Sequence, residues 1–451
     1  MHHLRKHAVV CGASMAGLLA ARVLSDFYES VTVVERDVLP DNAIQRRGVA
    51  HGRHLQMMLS GGSSRLAHLF PGLFDELAAA GAHVMDGIDD PSMFYLRVGE
   101  HVACRSGRFT RSDDVVIVLA SRPLLETHVR RRVSAIGNVT IMDGHDVIEP
   151  VLDSSGRISA ARVADRETGA ERMLEADLVV DATGRAGRTP AFLEARGYER
   201  PRERKYPVGL SYSSQFFRLP SGALTEKVAA VNDLVEKRRG AGVLAYEDGT
   251  AILTLIGVAG HKLPTELPGV LDAATELLPP QFSSALRAAQ PLGGVTAQHY
   301  PVSVWRRYDK LDRVPQGLLV IGDAVCSFNP VYGQGMTSAA LQAMALRQCL
   351  SSADTTDLAT RYFRAAAKKL APIWWSNRFT DFNFTPTDDW RTKPRRLLNR
   401  GMDRVWAALA TDIVLAETFI RTLQLVDPPT AMLQPATLRR LLAGGRVSPV
   451  R

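Results

Sequence analysis

The chain has 451 residues, of which 46% are hydrophobic and 23% are charged. This composition excludes a disordered, a collagen-like or a small disulfide-stapled protein. Lysine and arginine number 55 against 47 for aspartate and glutamate, so the formal net charge is +8. A nucleic acid, an anionic cofactor, an acidic carrier protein or a membrane surface would each explain this excess.

The cysteines and the N-terminus indicate a cytoplasmic setting. The 4 cysteines include no CxxC pair, so neither a zinc site nor a disulfide framework is expected, and a reducing compartment is favoured. The first residues lead directly into a strand-like run, without the apolar segment of a signal peptide. Because no run of about 18 apolar residues occurs, no membrane-spanning helix is expected.

The N-terminal part of the chain is predicted to be an α/β unit. Residues 8–12 and 31–35 are short apolar runs typical of strands, and residues 15–27 between them have helical spacing. This order predicts a βαβ unit and therefore a parallel sheet. The further predicted elements here are strands at 115–120, 138–142, 159–165 and 177–181, a helix at 122–133 and a hairpin turn at 166–172.

The rest of the chain is predicted to begin with an antiparallel sheet lobe and to end in helices. Its predicted elements, in chain order, are a strand segment at 206–219, a helix at 223–240, a strand segment at 241–258, a helix at 269–288, a buried strand at 317–323, a long helix at 335–350, a loop at 376–390 and an amphipathic helix at 403–424. Basic residues precede that last helix. The helix is expected to pack in the core, with contact to a membrane surface or to an acidic carrier protein as the alternatives. Aromatic residues around the loop, namely Trp374, Trp375, Phe379, Phe382 and Phe384, are read as core, with an apolar substrate pocket as the alternative.

The first motif is Gly12-Ala13-Ser14-Met15-Ala16-Gly17, which follows a strand and opens a helix. A dinucleotide fingerprint would carry a second glycine where this chain has Ser14. Glu35 ends the next strand, where a carboxylate can accept hydrogen bonds from an adenosine ribose. The motif therefore predicts a pyrophosphate at the helix N-terminus, with a glycine-rich turn of another α/β protein as the alternative.

The second motif begins at Gly322-Asp323-Ala324 and continues with the turn over 329–336. Asp323 ends a buried strand, a position suited to a hydrogen bond with a sugar-alcohol hydroxyl. The Pro- and Gly-rich turn then opens a helix near Gly335, whose free N–H groups would suit the electron-rich edge of a flavin. Together the two motifs predict one flavin site, and separately each is also typical of a plain strand-to-helix turn.

With these two motifs the chain resembles the FAD-dependent monooxygenases of the para-hydroxybenzoate hydroxylase type. Within that family it is most similar to the bacterial epoxidases of polyether antibiotic biosynthesis, and squalene epoxidase is a more distant relative. The segments that carry this resemblance are Arg47-Gly48-Val49, Gly52-Arg53-His54, Ala120-Ser121-Arg122-Pro123-Leu124-Leu125, residues 177–198 and residues 322–336. The resemblance implies a discontinuous, Rossmann-like FAD-binding domain.

The resemblance also assigns roles to individual residues. The pyrophosphate would be held by Gly12, Ala13, Ser14, Met15, Ala16 and Gly17; the adenosine end by Glu35, Arg36 and the backbone of Val147; the phosphates or the ribityl chain by Arg47, Arg122 and Asp323; and the isoalloxazine by Pro330, Gly333, Gln334, Gly335 and Met336. No catalytic residue is assigned and no metal site is expected.

One stretch departs from the family pattern, and another allows two interpretations. Where the family has an Asp-Gly pair tied to NAD(P)H approach, this chain reads Ala182-Thr183-Gly184-Arg185, while Asp181 just before it is read as structural. The basic residues of the other stretch either line the phosphate side of the flavin or form a solvated loop; they are Arg46, Arg47, His51, Arg53 and His54.

The activity that the resemblance implies is monooxygenation with FAD, NAD(P)H and O₂ through a flavin C4a-hydroperoxide. Epoxidation of a polyketide or terpenoid alkene is the favoured reaction, because it needs no protein base and no clear base is recognised. Aromatic hydroxylation is the alternative, followed by a flavin-dependent double-bond reductase and a non-catalytic prenyl-protein chaperone. Flavin halogenation is disfavoured because the Trp-x-Trp-x-Ile-Pro motif is absent.

The expected partner is an apolar small molecule, presented free or by an acyl carrier protein, and contact with a membrane surface would be weak. Nucleic acid is not expected, since the basic residues are dispersed. The predicted fold class is α/β, with an FAD-binding domain interleaved with an antiparallel-sheet substrate domain. The predicted boundaries are 1–200 with 310–355 for the FAD-binding domain, 201–309 for the substrate domain, with part of 70–115 as an alternative addition to it, and 356–451 for a C-terminal helical region.

Overall fold

The computed structural model of the chain describes residues 5–352, 357–381 and 393–443. The strands are β1 (Arg5–Cys11), β2 (Tyr28–Val34), β3 (His83–Asp86), β4 (Phe94–Val98), β5 (His101–Val102), β6 (Val116–Leu119), β7 (Val139–Met142), β8 (His145–Leu152), β9 (Ile158–Asp165), β10 (Glu171–Glu175), β11 (Leu178–Asp181), β12 (Glu203–Arg218), β13 (Val228–Asp233), β14 (Arg239–Ala245), β15 (Thr250–Gly257), β16 (Gln290–Arg306), β17 (Leu318–Val320) and β18 (Cys326–Ser327). The α-helices are α1 (Met15–Leu24), α2 (Ser60–Leu69), α3 (Leu73–Ala79), α4 (Arg122–Ser134), α5 (Thr189–Ala195), α6 (Leu267–Leu277), α7 (Pro280–Ala288), α8 (Gly335–Ser351), α9 (Leu358–Asp381), α10 (Lys393–Thr411), α11 (Ile413–Leu423) and α12 (Pro435–Leu442).

A parallel sheet of five strands, in the order β17-β11-β1-β2-β7, lies at the centre of the fold. Its strands are almost continuously apolar because both faces are covered, and Val9, Val10, Val179 and Val180 are completely buried. The βαβ unit predicted from the N-terminal pattern is confirmed as β1-α1-β2. β17 comes from the far end of the chain, yet it pairs with β11 in this sheet.

A larger sheet of eight strands, in the order β18-β16-β12-β15-β14-β13-β4-β5, packs beside the first. The long strands β12 and β16 pair antiparallel, which confirms the predicted antiparallel architecture. β4 and β5, from the N-terminal part of the chain, extend the sheet through a parallel pairing of β4 with β13. The domain boundaries given above remain a prediction.

The helix predicted over 223–240 is wrong, because this segment forms β13 and the turn into β14. The apolar residues of β13, among them Val228 and Val231, are buried between two neighbouring strands, so pairing overrides the local pattern. The predicted strand 241–258 is split into β14 and β15 by a turn in which Asp248 has φ +55° and Gly249 has φ +65°. The predicted helix 269–288 is likewise split into α6 and α7 at Pro279 and Pro280.

The C-terminal region is helical where the structure describes it, but the predicted loop over 376–390 is wrong for residues 376–381, which continue α9. The predicted helix 403–424 is two helices, because Asp412 ends α10 and its carboxylate accepts hydrogen bonds from the N–H groups of Val414 and Leu415 at the start of α11. Trp374 belongs to the main core, while Trp375 and Phe379 are exposed. Phe382 and Phe384 lie outside the described residues. No helix in the described ranges is long and apolar enough to cross a membrane.

Candidate active site

Three loops meet where the parallel strands β1, β11 and β17 end. Gly12 has φ +109°, and a Cβ added to it would lie 2.8 Å from the carbonyl oxygen of Ala182. A Cβ on Gly17 would lie 1.8 Å from the carbonyl oxygen of Gly12. A Cβ on Gly322 would lie 2.6 Å from that of Ala16. These approaches require glycine at all three positions, and they bring the two sequence motifs into direct contact.

The N-terminus of α1 carries no side-chain cap and no acidic residue in its first turn. Its free backbone N–H groups suit an anion such as a pyrophosphate. Ser14, which stands in place of the second glycine, uses its hydroxyl to accept a hydrogen bond from Arg122 Nη2 at 2.7 Å. Ser14 therefore links the first motif to Arg122, the first residue of α4.

Glu35 is buried beside the same loop. One carboxylate oxygen accepts a hydrogen bond from the N–H of Ala13 at 2.7 Å, and the other accepts one from the N–H of Asp37 at 3.0 Å. The oxygen that accepts from Asp37 has a second lone-pair position, through which the carboxylate can also accept a bond from a ribose hydroxyl. The backbone carbonyl of Glu35 accepts a bond from the N–H of His145 at 2.9 Å. This contact brings Val147 in β8 to the predicted adenine end, while Arg36 is exposed next to Glu35.

A buried ion network supports this loop, and the sequence prediction did not include its central residue, Glu126. Arg46 Nε lies 2.6 Å from one Glu126 oxygen and Arg122 Nη2 lies 2.8 Å from the other. Arg46 also lies 3.3 Å from Glu35 and donates a hydrogen bond to the carbonyl of Ala13. Burial raises the pKa of Glu126, but the two guanidinium groups outweigh it and hold this pKa below the ordinary value.

Because of this ion network, groups other than Arg46 and Arg122 are expected to make most of the contact with the cofactor phosphates. Since Arg46 and Arg122 are paired with carboxylates, we expect the N–H groups of α1 to provide the main contact with a pyrophosphate. Arg47 is exposed at the start of a 3-10 segment that runs from Arg47 to Arg53. Its assignment to the cofactor stays a prediction. His51 and Arg53 are exposed on the same segment, as the alternative interpretation of a solvated loop predicts.

The second motif follows β17 directly. Asp323 is half-buried, and burial raises the pKa of its carboxyl to about 6 against the opposing effect of Arg122 and Arg185. At Gly322 the backbone N–H donates to Gln342 Oε1 of α8 at 2.9 Å. The strand end is thereby tied to the helix that follows the motif.

The turn before α8 combines buried and exposed residues. Gln334 and Met336 are buried, whereas Pro330 and Gly335 are exposed, and Gly333 has φ +65°. No acidic residue occupies the first turn of α8. The turn therefore offers small exposed groups and free helix N–H groups, which fit a flat ring with an electron-rich edge. The close approaches at Gly12, Gly17 and Gly322 form what is called the glycine cradle below. With this cradle and the carboxylate of Glu35, the residues of the turn fit FAD.

The Ala-Thr-Gly-Arg turn is stabilised from within. The carboxylate of Asp181 accepts hydrogen bonds from the N–H and the hydroxyl of Thr183 and from the hydroxyl of Thr189. The structural role predicted for Asp181 is thus confirmed. Arg185 stacks over the ring of Tyr300 at 4.3 Å and donates to the carbonyl of Val302, so this turn attaches to the eight-stranded sheet.

A group of side chains faces the second motif and is called the sheet-face cluster below. It comprises Tyr212, Ser214, Thr254 and Tyr300 of that sheet and His54, which follows the 3-10 segment. Tyr212 and Tyr300 pack in one buried cluster against which Val331 of the second motif lies. The rings of His54 and Tyr212 are 5.4 Å apart, His54 Nδ1 lies 2.8 Å from Ser214 Oγ, and Ser214 Oγ lies 2.7 Å from Thr254 Oγ1.

Burial keeps the titratable members of this cluster neutral. It lowers the pKa of His54 to about 4, which the Gln298 side chain partly opposes. It raises the pKa of Tyr212, and it raises the pKa of Tyr300 to about 12. Sequence reasoning missed the tyrosines of this cluster because they come from separate strands, and it had placed His54 only in a basic loop.

Comparisons with known proteins agree with this geometry. A family model described as an FAD binding domain matches residues 5–360. Protein Rv3254 of Mycobacterium tuberculosis is 42% identical over 442 residues, covering 94% of this chain and 90% of that protein. Kynurenine 3-monooxygenase of Salinispora tropica is 24% identical over 443 residues, covering 91% and 86%. The solved structure of p-nitrophenol 4-monooxygenase PnpA from Pseudomonas putida superposes with a TM-score of 0.67 at 16% identity, covering 94% of this chain and 99% of that one.

The cofactor follows from the same findings. The family model covers both motifs, and the glycine cradle, Glu35 and the α8 turn are the parts that FAD needs. NAD(P)H is the reductant typical of this family. The chain therefore belongs to the family of the FAD binding domain and is a flavin-dependent monooxygenase.

Proposed function

We propose that this monooxygenase epoxidises an alkene in an uncharged, apolar substrate such as a polyketide or terpenoid intermediate. The observation that carries the proposal is the buried, mainly apolar wall that Tyr212 and Tyr300 form against Val331 of the second motif, and burial also favours the neutral form of His54 beside it. A buried neutral wall suits an uncharged molecule, because a charged one would lose its hydration without a compensating partner.

The protonation state of His54 supports epoxidation over phenol hydroxylation. Hydroxylation of a phenol is helped by a base that removes the proton of its hydroxyl, which has a pKa of about 10. The pKa of His54 is about 4. His54 is therefore a weak base in this environment and is poorly suited to accept that proton. Oxygen transfer to an alkene needs no such step.

When bound, FAD would supply an electrophilic oxygen atom derived from O₂, with NAD(P)H as the reductant. The chain's own residues would bind and orient the reactants. The α1 loop and Glu35 would hold the nucleotide end, Asp323 would hold the sugar-alcohol chain, and the N–H groups at the start of α8 would stabilise negative charge on the ring. Tyr212, Tyr300 and Val331 exclude water from the side that faces the sheet.

Aromatic hydroxylation is the second candidate. Kynurenine 3-monooxygenase and p-nitrophenol 4-monooxygenase, to which this chain is similar, act on aromatic compounds, as their names state. The hydroxyls of Ser214 and Thr254 beside His54 form a chain of hydrogen-bonding groups of the kind that moves protons. The two reactions leave different products, so one assay separates them.

The assay uses purified holoenzyme with NADPH, ¹⁸O₂ and two probes of the same carbon skeleton, one carrying an alkene and the other a phenol. Mass spectrometry should show one ¹⁸O atom in an epoxide from the alkene, with faster NADPH consumption than with the phenol. A hydroxylated phenol with an untouched alkene would overturn the proposal in favour of the second candidate. A saturated product without ¹⁸O would assign a double-bond reductase instead.

An acidic carrier protein that presents the substrate is part of the proposal. The exposed side of α9 carries Arg364, Lys368 and Arg378, which would attract an acidic partner. The KM for a carrier-linked substrate should rise with salt, and replacing the three residues by Ala should raise it at low salt. The KM for the free substrate serves as the control, and equal salt dependence of the two values would count against a carrier.

A further inference from the structure

The buried face of α9 presents two polar side chains to the flavin-facing turn. Asn377 and Asp381 are each only 2% exposed and lie one helical turn apart. Both residues follow the segment 5–360 that the family model matches, and neither belongs to either sequence motif. Polar side chains buried this deeply require hydrogen-bond partners, and their partners show what they hold.

Three of their partners lie in the turn before α8. Asn377 Nδ2 donates to Gln334 Oε1 at 2.7 Å. Asp381 Oδ1 accepts from Asn329 Nδ2 at 2.7 Å and from the hydroxyl of Tyr332 at 2.7 Å. The two residues of α9 therefore contact the first, middle and last parts of the turn.

The turn has features that make support from α9 important. Pro330 and Gly335 are exposed, and Gly333 adopts a left-handed conformation that glycine enters and leaves at little cost. Within the turn, Asn329 Oδ1 accepts a hydrogen bond from the N–H of Val331. A shift of the turn would break the bonds to Asp381 and leave a buried carboxylate with fewer donors, which is costly.

We propose that Asn377 and Asp381 are positioning residues that hold residues 329–335 in the conformation that receives the flavin ring. Neither residue is catalytic, since each acts through a side chain of the turn. The proposal rests on FAD binding and is independent of the substrate, so failure of the epoxidation assay would not affect it.

Burial raises the pKa of Asp381, and the hydroxyls of Tyr332 and Tyr206 and the amide of Asn329 oppose this effect. Each of these three groups is a neutral hydrogen-bond donor. Two of these donors bind Oδ1, and an amide oxygen accepts the same two bonds, so Asp381→Asn should preserve the contact with the turn.

The experiment compares Asp381→Leu, Asp381→Asn and Asn377→Leu with the wild-type protein, each stripped of FAD and titrated with FAD while flavin fluorescence is followed. We expect Asp381→Leu and Asn377→Leu to raise the Kd for FAD about tenfold or more, because buried donors or acceptors lose their partner. Asp381→Asn should stay within about threefold of wild type. The visible spectrum of bound flavin should change in the two Leu variants and not in Asp381→Asn.

Asp412→Leu is the matched control. Asp412 is also buried in the C-terminal region and accepts two backbone hydrogen bonds, but these cap α11 away from the turn. The Asp412→Leu variant should have a lower free energy of unfolding, but its Kd for FAD and its flavin spectrum should be unchanged. Unchanged FAD affinity in both folded Leu variants would overturn the proposal, and so would an Asp381→Asn variant as weak as Asp381→Leu. If Asp381→Leu does not fold, the Kd values and flavin spectra of Asn377→Leu and Asp381→Asn still test the proposal.

Discussion

Gly322 and Ala16 are in contact although they belong to opposite ends of the flavin-binding sequence: a Cβ added to Gly322 would lie 2.6 Å from the Cβ of Ala16. This contact joins the two motifs into one cradle. It exists because β1 and β17 lie in the same parallel sheet and end at the same edge. The cradle therefore depends on glycine at positions 12, 17 and 322, where an added Cβ would collide with a neighbouring atom.

Gly322→Ala should destabilise the protein and weaken FAD binding. The φ of Gly322 is +73°, and the added methyl group would also collide with Ala16. We expect a loss of about 2–4 kcal/mol in the free energy of unfolding, the sum of backbone strain and overpacking. Urea denaturation of the FAD-free protein and FAD titration provide the two measurements.

Gly169→Ala is the control for backbone strain alone. Its φ is +72°, and no atom lies within 4 Å of an added Cβ. It should cost about 1–2 kcal/mol and leave the Kd for FAD unchanged. Equal losses of unfolding free energy in Gly322→Ala and Gly169→Ala would show that the contact with Ala16 is unimportant.

Arg46→Met should be among the most damaging single substitutions near the site. It leaves the buried carboxylates of Glu126 and Glu35 without one of their guanidinium partners. The expected loss is about 3–5 kcal/mol in the free energy of unfolding. Arg162→Met removes a pair of exposed salt bridges, to Glu149 and Glu171, and should cost no more than about 1 kcal/mol. Similar losses for both would contradict the proposed importance of the buried network.

The stability of the protein should fall in acid partly through Glu126. Its folded-state pKa is below that of the unfolded chain, since Arg122 and Arg46 outweigh the effect of burial. The stabilisation is fully present above the unfolded value of about 4.3 and is lost as the pH falls through the lower folded value. Unfolding free energies between pH 3 and 7 should show a smaller pH dependence for Glu126→Gln than for wild type. An unchanged pH dependence would argue against this role.

His54 should contribute no inflection to the activity between pH 6 and 8. Burial lowers its folded-state pKa to about 4, so the ring stays neutral in this range. A depressed pKa means that its stabilisation is present above about 6.5 and is lost as the pH falls toward 4. The kcat/KM profiles of wild type and His54→Gln should therefore have the same shape from pH 6 to 8, while the variant loses less stability in acid. An inflection near pH 7 that disappears in the variant would make His54 a catalytic base.

Much of the flavin cradle was predictable from local patterns. Apolar runs of strand length around a helical segment identified β1, α1 and β2, and Glu35 followed from its position at the end of β2. Turn residues identified the second motif. These features depend on neighbours in sequence, where periodicity and turn chemistry act.

Prediction failed where partners distant in sequence decide the structure. The segment at 223–240 reads as a polar helix, but pairing with β4 and β14 makes part of it β13. No residue spacing in the sequence indicates the ion network of Arg46 with Glu126 or the contacts of Asp381 with the turn before α8. Each depends on which elements pack together.

The sequence by itself determined the α/β class, the flavin-binding motifs and the family, because short-range rules require glycine at tight turns and apolar residues in buried strands. Only the tertiary structure decided what surrounds those motifs: the buried ion network, the neutral sheet-face cluster and the contacts from α9. The physical reason is that burial changes the chemistry of a side chain. A histidine of ordinary pKa becomes a neutral group in the sheet-face cluster, and an aspartate in a C-terminal helix becomes a fixed acceptor for the turn that faces the flavin.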